Sequence, residues 1–286
     1  FLGDLNVTGA LTTAAEGYAV EILGASNRVA GLTEFVNTGG ATIGAGAGDQ
    51  STFVGGLDTR AAGGTTLAGR VFAEDAIIAL GDTTLTDATR IASGNAPLTI
   101  ASLAGTNLAL SLQDRDDDAD VTADADGDVT VSGTFTLGSL AAEAGAYDLT
   151  LETGGTVSGA TTLANTGTNR LGDAFGDQFS LGGGLSATAG TTTLFGQFTT
   201  GGGAIELGAA SLAGETSVNT AGGDLLATDV IGGAADLTLV TADGNVGFLS
   251  FTDGGELDVD LDEGVLTVAG AFEAQAATLQ RGVFAF

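Results

Sequence analysis

NTGGATIGAGAGDQ (37–50) and NTGTNRLGDAFGDQ (165–178) align without a gap at an offset of 128. The match continues upstream, where Gly31, Thr33 and Phe35 meet Gly159, Thr161 and Leu163. Downstream, GGL (55–57) meets GGL (183–185). The offset then becomes 127 and holds: TTLAG (65–69) meets TTLFG (192–196), Ile78 and Leu80 meet Ile205 and Leu207, and Leu110 and Leu112 meet Leu237 and Leu239. A long internal repeat is therefore written into the chain, and repeats of this kind are built by stacking like units on one another.

A second signature, apolar-x-Val-x-Gly-x-apolar, occurs as LNVTGAL (5–11), VTVSGTF (129–135) and LTVAGAF (266–272). It divides the chain into a first repeat unit, 1–128, a second, 129–265, and 266–286 as the start of a third unit or a cap, all expected in one continuous solenoid. The chain begins at Phe1 rather than Met, which reads as a processed chain or a segment of something longer. Within each unit apolar clusters recur about every 20 residues, as a β-solenoid coil requires.

Short runs alternate apolar and polar residues, as in Leu108, Leu110 and Leu112 or Leu257, Val259 and Leu261. Period-two alternation between Gly-, Asn-, Asp- and Thr-rich turns means strands. The predicted fold is all-β, a parallel β-solenoid (β-helix) with coils of about 20 residues. Glycine, Asn and Asp would turn its corners, and Thr and Val would suit its faces. The alternative is a string of tandem Ig-like β-sandwiches, since about 130 residues also fits one such domain. Against it stand the absence of Trp, a single proline and the finer 20-residue beat.

Charge narrows the partners. The chain carries 36 acidic residues against 7 basic ones, all arginine, for a net charge of −29. That sign argues against nucleic acid as a partner and disfavours anionic membrane surfaces. No apolar run is long enough for a membrane-spanning helix, so no membrane insertion is expected. Apolar residues still make up 43% of the chain, enough to form a core rather than a disordered acidic tail. Without cysteine there is no disulfide or thiol chemistry.

Strings such as GALTT, NTGG, TTLAG, AIELGAASLAGETSVNTAGG and LTLVTADGNV resemble the giant bacterial β-strand-repeat proteins akin to filamentous haemagglutinin-like adhesins. The resemblance covers essentially the whole chain and rests on composition and repeat style. It implies a large secreted or cell-surface protein with an adhesive or structural role. The expected function is therefore a non-enzymatic extracellular repeat protein forming a rod, fibre or filament. Its expected partners are further copies, met head-to-tail or laterally, or a cell-surface or matrix polymer. The alternative is a carbohydrate- or surface-binding module, which a flat array of regularly spaced Thr would favour. The third class is a polysaccharide-cleaving β-helix enzyme. It needs clustered arginine and aspartate in a groove, and along the sequence the seven arginines look scattered. Nucleophilic triads and dyads that use His or Cys are impossible because both residues are absent.

One ligand class has residues behind it. DRDDDADVTADADGD (114–128) and DGGELDVDLDEG (253–264) are runs of hard oxygen ligands, which suit calcium. The candidate Ca2+ ligands are Asp116, Asp118, Asp120, Asp124, Asp126, Asp128, Asp258, Asp260, Asp262 and Glu263. DADGD (124–128) matches part of a calcium loop, but Thr122 stands where the first Asp belongs and no Glu closes it. The competing reading of the first run is an inserted, solvated acidic loop, because both runs end where a repeat unit begins.

Overall fold

The computed structural model describes residues 1–113 and 126–285. The protein is an all-β parallel β-solenoid of about 13 turns of about 20 residues, with no helix among the described residues. Each coil runs through three short arms, and each arm pairs in parallel with the matching arm of the next coil. Arg70 faces Arg90, Ile205 faces Leu225 and Asp258 faces Thr278, each one coil on. Ig-like sandwiches are built from antiparallel sheets, so parallel ladders of this kind rule them out. Backbone N–H and C=O groups are satisfied coil to coil, which no single coil could do alone. LAAEAGA (140–146) is helix-like only in composition: its first three residues close the strand Phe135–Ala142.

Contacts divide the chain into two compact units, Phe1–Leu149 and Thr150–Phe286. In the first, one inward column is Ile22, Ile43, Leu67 and Leu85, continued by Gly105 and Leu137. Gly105 is glycine for a packing reason, since a Cβ there would meet Leu85 Cδ1 at 2.9 Å. A second column is Thr33, Leu57, Ile78, Leu98 and Val129. In the second unit, Leu185, Ile205, Leu225, Val246 and Leu266 stack in register, as do Phe179, Phe198, Val218, Leu239 and Val259. Phe179 and Phe198 stack with ring centroids 4.9 Å apart. These inward side chains are almost completely buried, so stacking coils converts period-two alternation into one apolar core per unit.

The corners carry a second periodic device. In the second unit, Thr200, Thr220 and Thr241 are buried and each donates its hydroxyl to the carbonyl three residues on, at Gly203 (2.7 Å), Gly223 (2.5 Å) and Gly244 (2.7 Å). The T-x-x-G spacing at intervals of one coil is the sequence trace of that corner. Glycine follows because the neighbouring coil's backbone passes over it: a Cβ on Gly244 would meet Gly223 O at 2.1 Å. Among the described residues every Asp and Glu is exposed or half-exposed, which spares the carboxylates the cost of burial.

Candidate functional site

Asp126 and Asp128, singled out as candidate calcium ligands, are coil-to-coil staples. Asp126 Oδ1 accepts the Ala146 N–H at 2.7 Å, and Asp128 Oδ1 accepts the Asp148 N–H at 3.0 Å. The same arrangement recurs where Asp75 accepts Asn95 N–H (3.0 Å), Asp224 accepts Asn245 N–H (2.8 Å) and Asp236 accepts Glu256 N–H (2.7 Å). A carboxylate at a corner thus satisfies the backbone donor of the next coil, about 20 residues away. Asp116, Asp118, Asp120 and Asp124 lie outside the described residues.

The register around that first run isolates it as extra chain. Leu98 pairs with Val129, 31 residues on, whereas the preceding coil pairs Ile78 with Leu98, 20 residues on. Gln113 Nε2 donates to Gly127 O at 2.5 Å, so the strand order closes across the run. Its sequence reading as an insertion agrees with this register.

The second run differs. Most of it belongs to the strand Val246–Asp260, with Leu257, Val259 and Leu261 buried between outward carboxylates. Asp258 Oδ1 accepts Gln280 Nε2 at 3.1 Å. Arg281 joins Asp260 (Nη2–Oδ2 2.6 Å) to Asp262 (Nη1–Oδ1 3.0 Å), and its hydrogen bond holds the Asp260 carboxyl below the usual carboxylate range. Glu263 is exposed at the following turn. Among the described residues no group of three or more His, Cys, Asp or Glu is placed to hold a metal ion.

Concave sites occur in the first unit. Arginines that look scattered along the chain are brought together here: Arg70 and Arg90 are register neighbours on adjacent coils, followed in the same row by Ser111 and Ala141. They line a groove of about 410 Å3 with Ser139 and Glu143. Ser111 Oγ donates to Glu143 Oε1 at 3.0 Å. The spacing of one coil between positions 70 and 90 was the signal that sequence inspection missed. A second concavity, of about 360 Å3, holds Glu34, Asp58 and Arg60. There the Arg60 guanidinium grips Asp58 (Nη2–Oδ2 2.5 Å) and holds its carboxyl below the ordinary value.

The outward surface of the first unit also carries a threonine row. Thr42, Thr66 and Thr84 are consecutive register partners, followed by Ala104 and Thr136. These side chains are exposed or half-exposed and stand one strand spacing apart, about 4.8 Å. Comparison with family models, with characterised proteins and with solved structures finds no match to this chain.

Proposed function

We propose that this is a non-enzymatic structural or adhesive repeat protein, secreted or displayed at a cell surface, in the manner of filamentous haemagglutinin-like adhesins. What carries the reading is the coil-to-coil stapling by Asp75, Asp126, Asp128, Asp224 and Asp236, in which acidic side chains serve the stack itself. Carboxylates so used leave an acidic outer surface over the apolar interior of each unit, which suits an element of a fibre or filament. Self-association, head-to-tail or lateral, or attachment to a surface polymer follows as its work. No helix among the described residues is long and apolar enough to cross a membrane.

The test is electron microscopy of the purified chain, paired with sedimentation over a range of concentrations. Elongated particles that join into longer assemblies are expected. Compact particles that remain single at every concentration would overturn the filament reading.

The threonine row favours a second reading, surface binding through the first unit. Thr66→Lys with Thr84→Lys would place two bulky charges in the row and abolish retention on an insoluble polysaccharide. Unchanged retention removes that reading.

A further inference from the structure

We propose that the core of the second unit contains an apolar cavity that takes up one small apolar molecule, of the size and chemistry of dioxygen. The proposal goes beyond the adhesive reading above and does not depend on it.

The duplicated pattern shows where the space comes from. At the offset of 127, Thr83, Ile91, Ile100 and Leu103 of the first unit meet Ala210, Val218, Ala227 and Val230 of the second. All of these side chains are buried. Each exchange leaves the second unit with the smaller residue. Ile205, Leu207 and Leu212 repeat Ile78, Leu80 and Leu85 unchanged, so these neighbours do not make good the loss. The smaller residues also fall together on adjacent coils. Ala210 pairs with Val230, and Ala227 lies between Leu207 and Phe248. Coil-to-coil hydrogen bonds fix the path of each arm, and a truncated core relaxes only in part.

The cavity lies where the exchanges place it. Ala210, Val218, Ala227 and Val230 all line it, with Phe198 and Phe248 from the coils on either side. It leaves about 20 Å3 for the centre of a water-sized sphere, where one water needs about 10–15 Å3. Ala227 and Leu212 keep 8% and 7% of their surface, more than the other buried apolar residues described, as side chains facing a void do.

The lining decides the guest. Its residues are all apolar, whereas a buried water needs two to four polar partners. The inward Thr216 turns its hydroxyl to the carbonyls of Leu194 (3.3 Å) and Gly214 (2.9 Å). Thr192, in register with Ala210, is not part of the lining. A guest with a hydrogen-bonding group would give up its hydration and gain no partner. An apolar guest of one or two heavy atoms restores dispersion contacts to the lining at no such cost.

The experiment is methyl NMR of the whole chain, with dissolved xenon as the first probe and dioxygen as the second. Xenon is expected to shift the methyl signals of Ala210, Ala227 and Val230 saturably, and to leave those of Ile100 and Leu103 in place. Dioxygen, being paramagnetic, should broaden the same three signals, and xenon should reverse the broadening. Ala227→Ile restores the first unit's residue and should abolish the shifts. Circular dichroism checks its fold. Should that variant misfold, Val230→Leu restores a smaller part of the lost volume and should reduce the shifts. No saturable shift in the unaltered chain, equal shifts at Ile100 and Leu103, or full-sized shifts in a folded filling variant would overturn the proposal.

Discussion

The two copies of the duplicated segment, 37–50 and 165–178, share a frame and differ in what they bury. Gly44 and Gly172 both take positive φ, 78° and 86°. Asp49 Oδ2 accepts the N–H groups of Ala45 (2.7 Å) and Gly46 (3.0 Å), and Asp177 Oδ2 accepts those of Asp173 and Ala174, both at 2.8 Å. Asp49 N–H reaches Gly46 O and Asp177 N–H reaches Ala174 O, both at 3.0 Å. Between these constants, Ala41 of the first copy is replaced by Asn169 in the second, and both point inward. Asn169 Nδ2 and Oδ1 have no hydrogen-bond partner there, nor does Thr192 Oγ1 on the next coil. In the first unit a comparable inward Asn is fully served: Asn27 donates to Gly24 O (2.7 Å) and Ser51 Oγ (3.1 Å) and accepts from Leu5 N–H (3.1 Å). The lesson is that the corner from Gly44 to Asp49 is kept in Gly172 to Asp177, whereas the lining of the core admits a polar residue at a cost.

The glycines test that lesson most severely. Gly44→Ala would set a Cβ 2.1 Å from Ala68 O, and Gly172→Ala one 1.9 Å from Phe195 O, each at a positive φ. Each should destabilise by about 3 kcal/mol in denaturant unfolding. A loss below about 1 kcal/mol at either would show that the corner can relax.

Asp49→Ala and Asp177→Ala come next. Each removes an acceptor of two N–H groups and should cost about 2 kcal/mol, by the same amount in both copies. Unequal losses would break the equivalence of the copies.

Asn169→Val sharpens the difference between them. The substitution is apolar, close in size and suited to a strand, so it should stabilise by about 1 kcal/mol. Destabilisation would mean that the amide is satisfied in solution by a group such as bound water.

The two tyrosines extend the comparison beyond the segment. Tyr18 and Tyr147 each precede a strand, Val20–Ile22 and Leu149–Leu151, by the same spacing. The hydroxyl of each bonds four residues back: Tyr18 Oη accepts Ala14 N–H, and Tyr147 Oη donates to Glu143 O. Tyr18 is 42% exposed and Tyr147 is 0% exposed. Burial, with the Glu143 charge second, pushes the Tyr147 phenol upward. The folded state therefore holds that proton more tightly than the unfolded chain. Its contribution is intact at neutral pH and is lost as pH rises above about 10 toward the folded value, where the unfolded phenol ionises. Ultraviolet titration should show one phenol ionising only with unfolding, and Tyr147→Phe should flatten the alkaline decline while changing little at pH 7. An alkaline decline of the same size in Tyr147→Phe would assign it to other groups.

Much of this was legible in the chain itself. Alternation, the duplicated segment and the beat of about 20 residues determined parallel coils, because a coil must repeat its apolar positions in register to be buried. The duplicated glycines and aspartates marked corners for the same reason. What the sequence did not reveal depended on residues one coil apart. Arg70 and Arg90 look unrelated along the chain, and only stacking makes them neighbours. Asp126 and Asp128 meet the N–H groups they accept, and Asp260 and Asp262 meet Arg281, only once the next coil is stacked. The runs 114–128 and 253–264 look alike in composition. Register alone separates a strand with outward carboxylates from chain added to one coil. Local pattern dictates which way a side chain faces, whereas its partner is decided by which coil lies above.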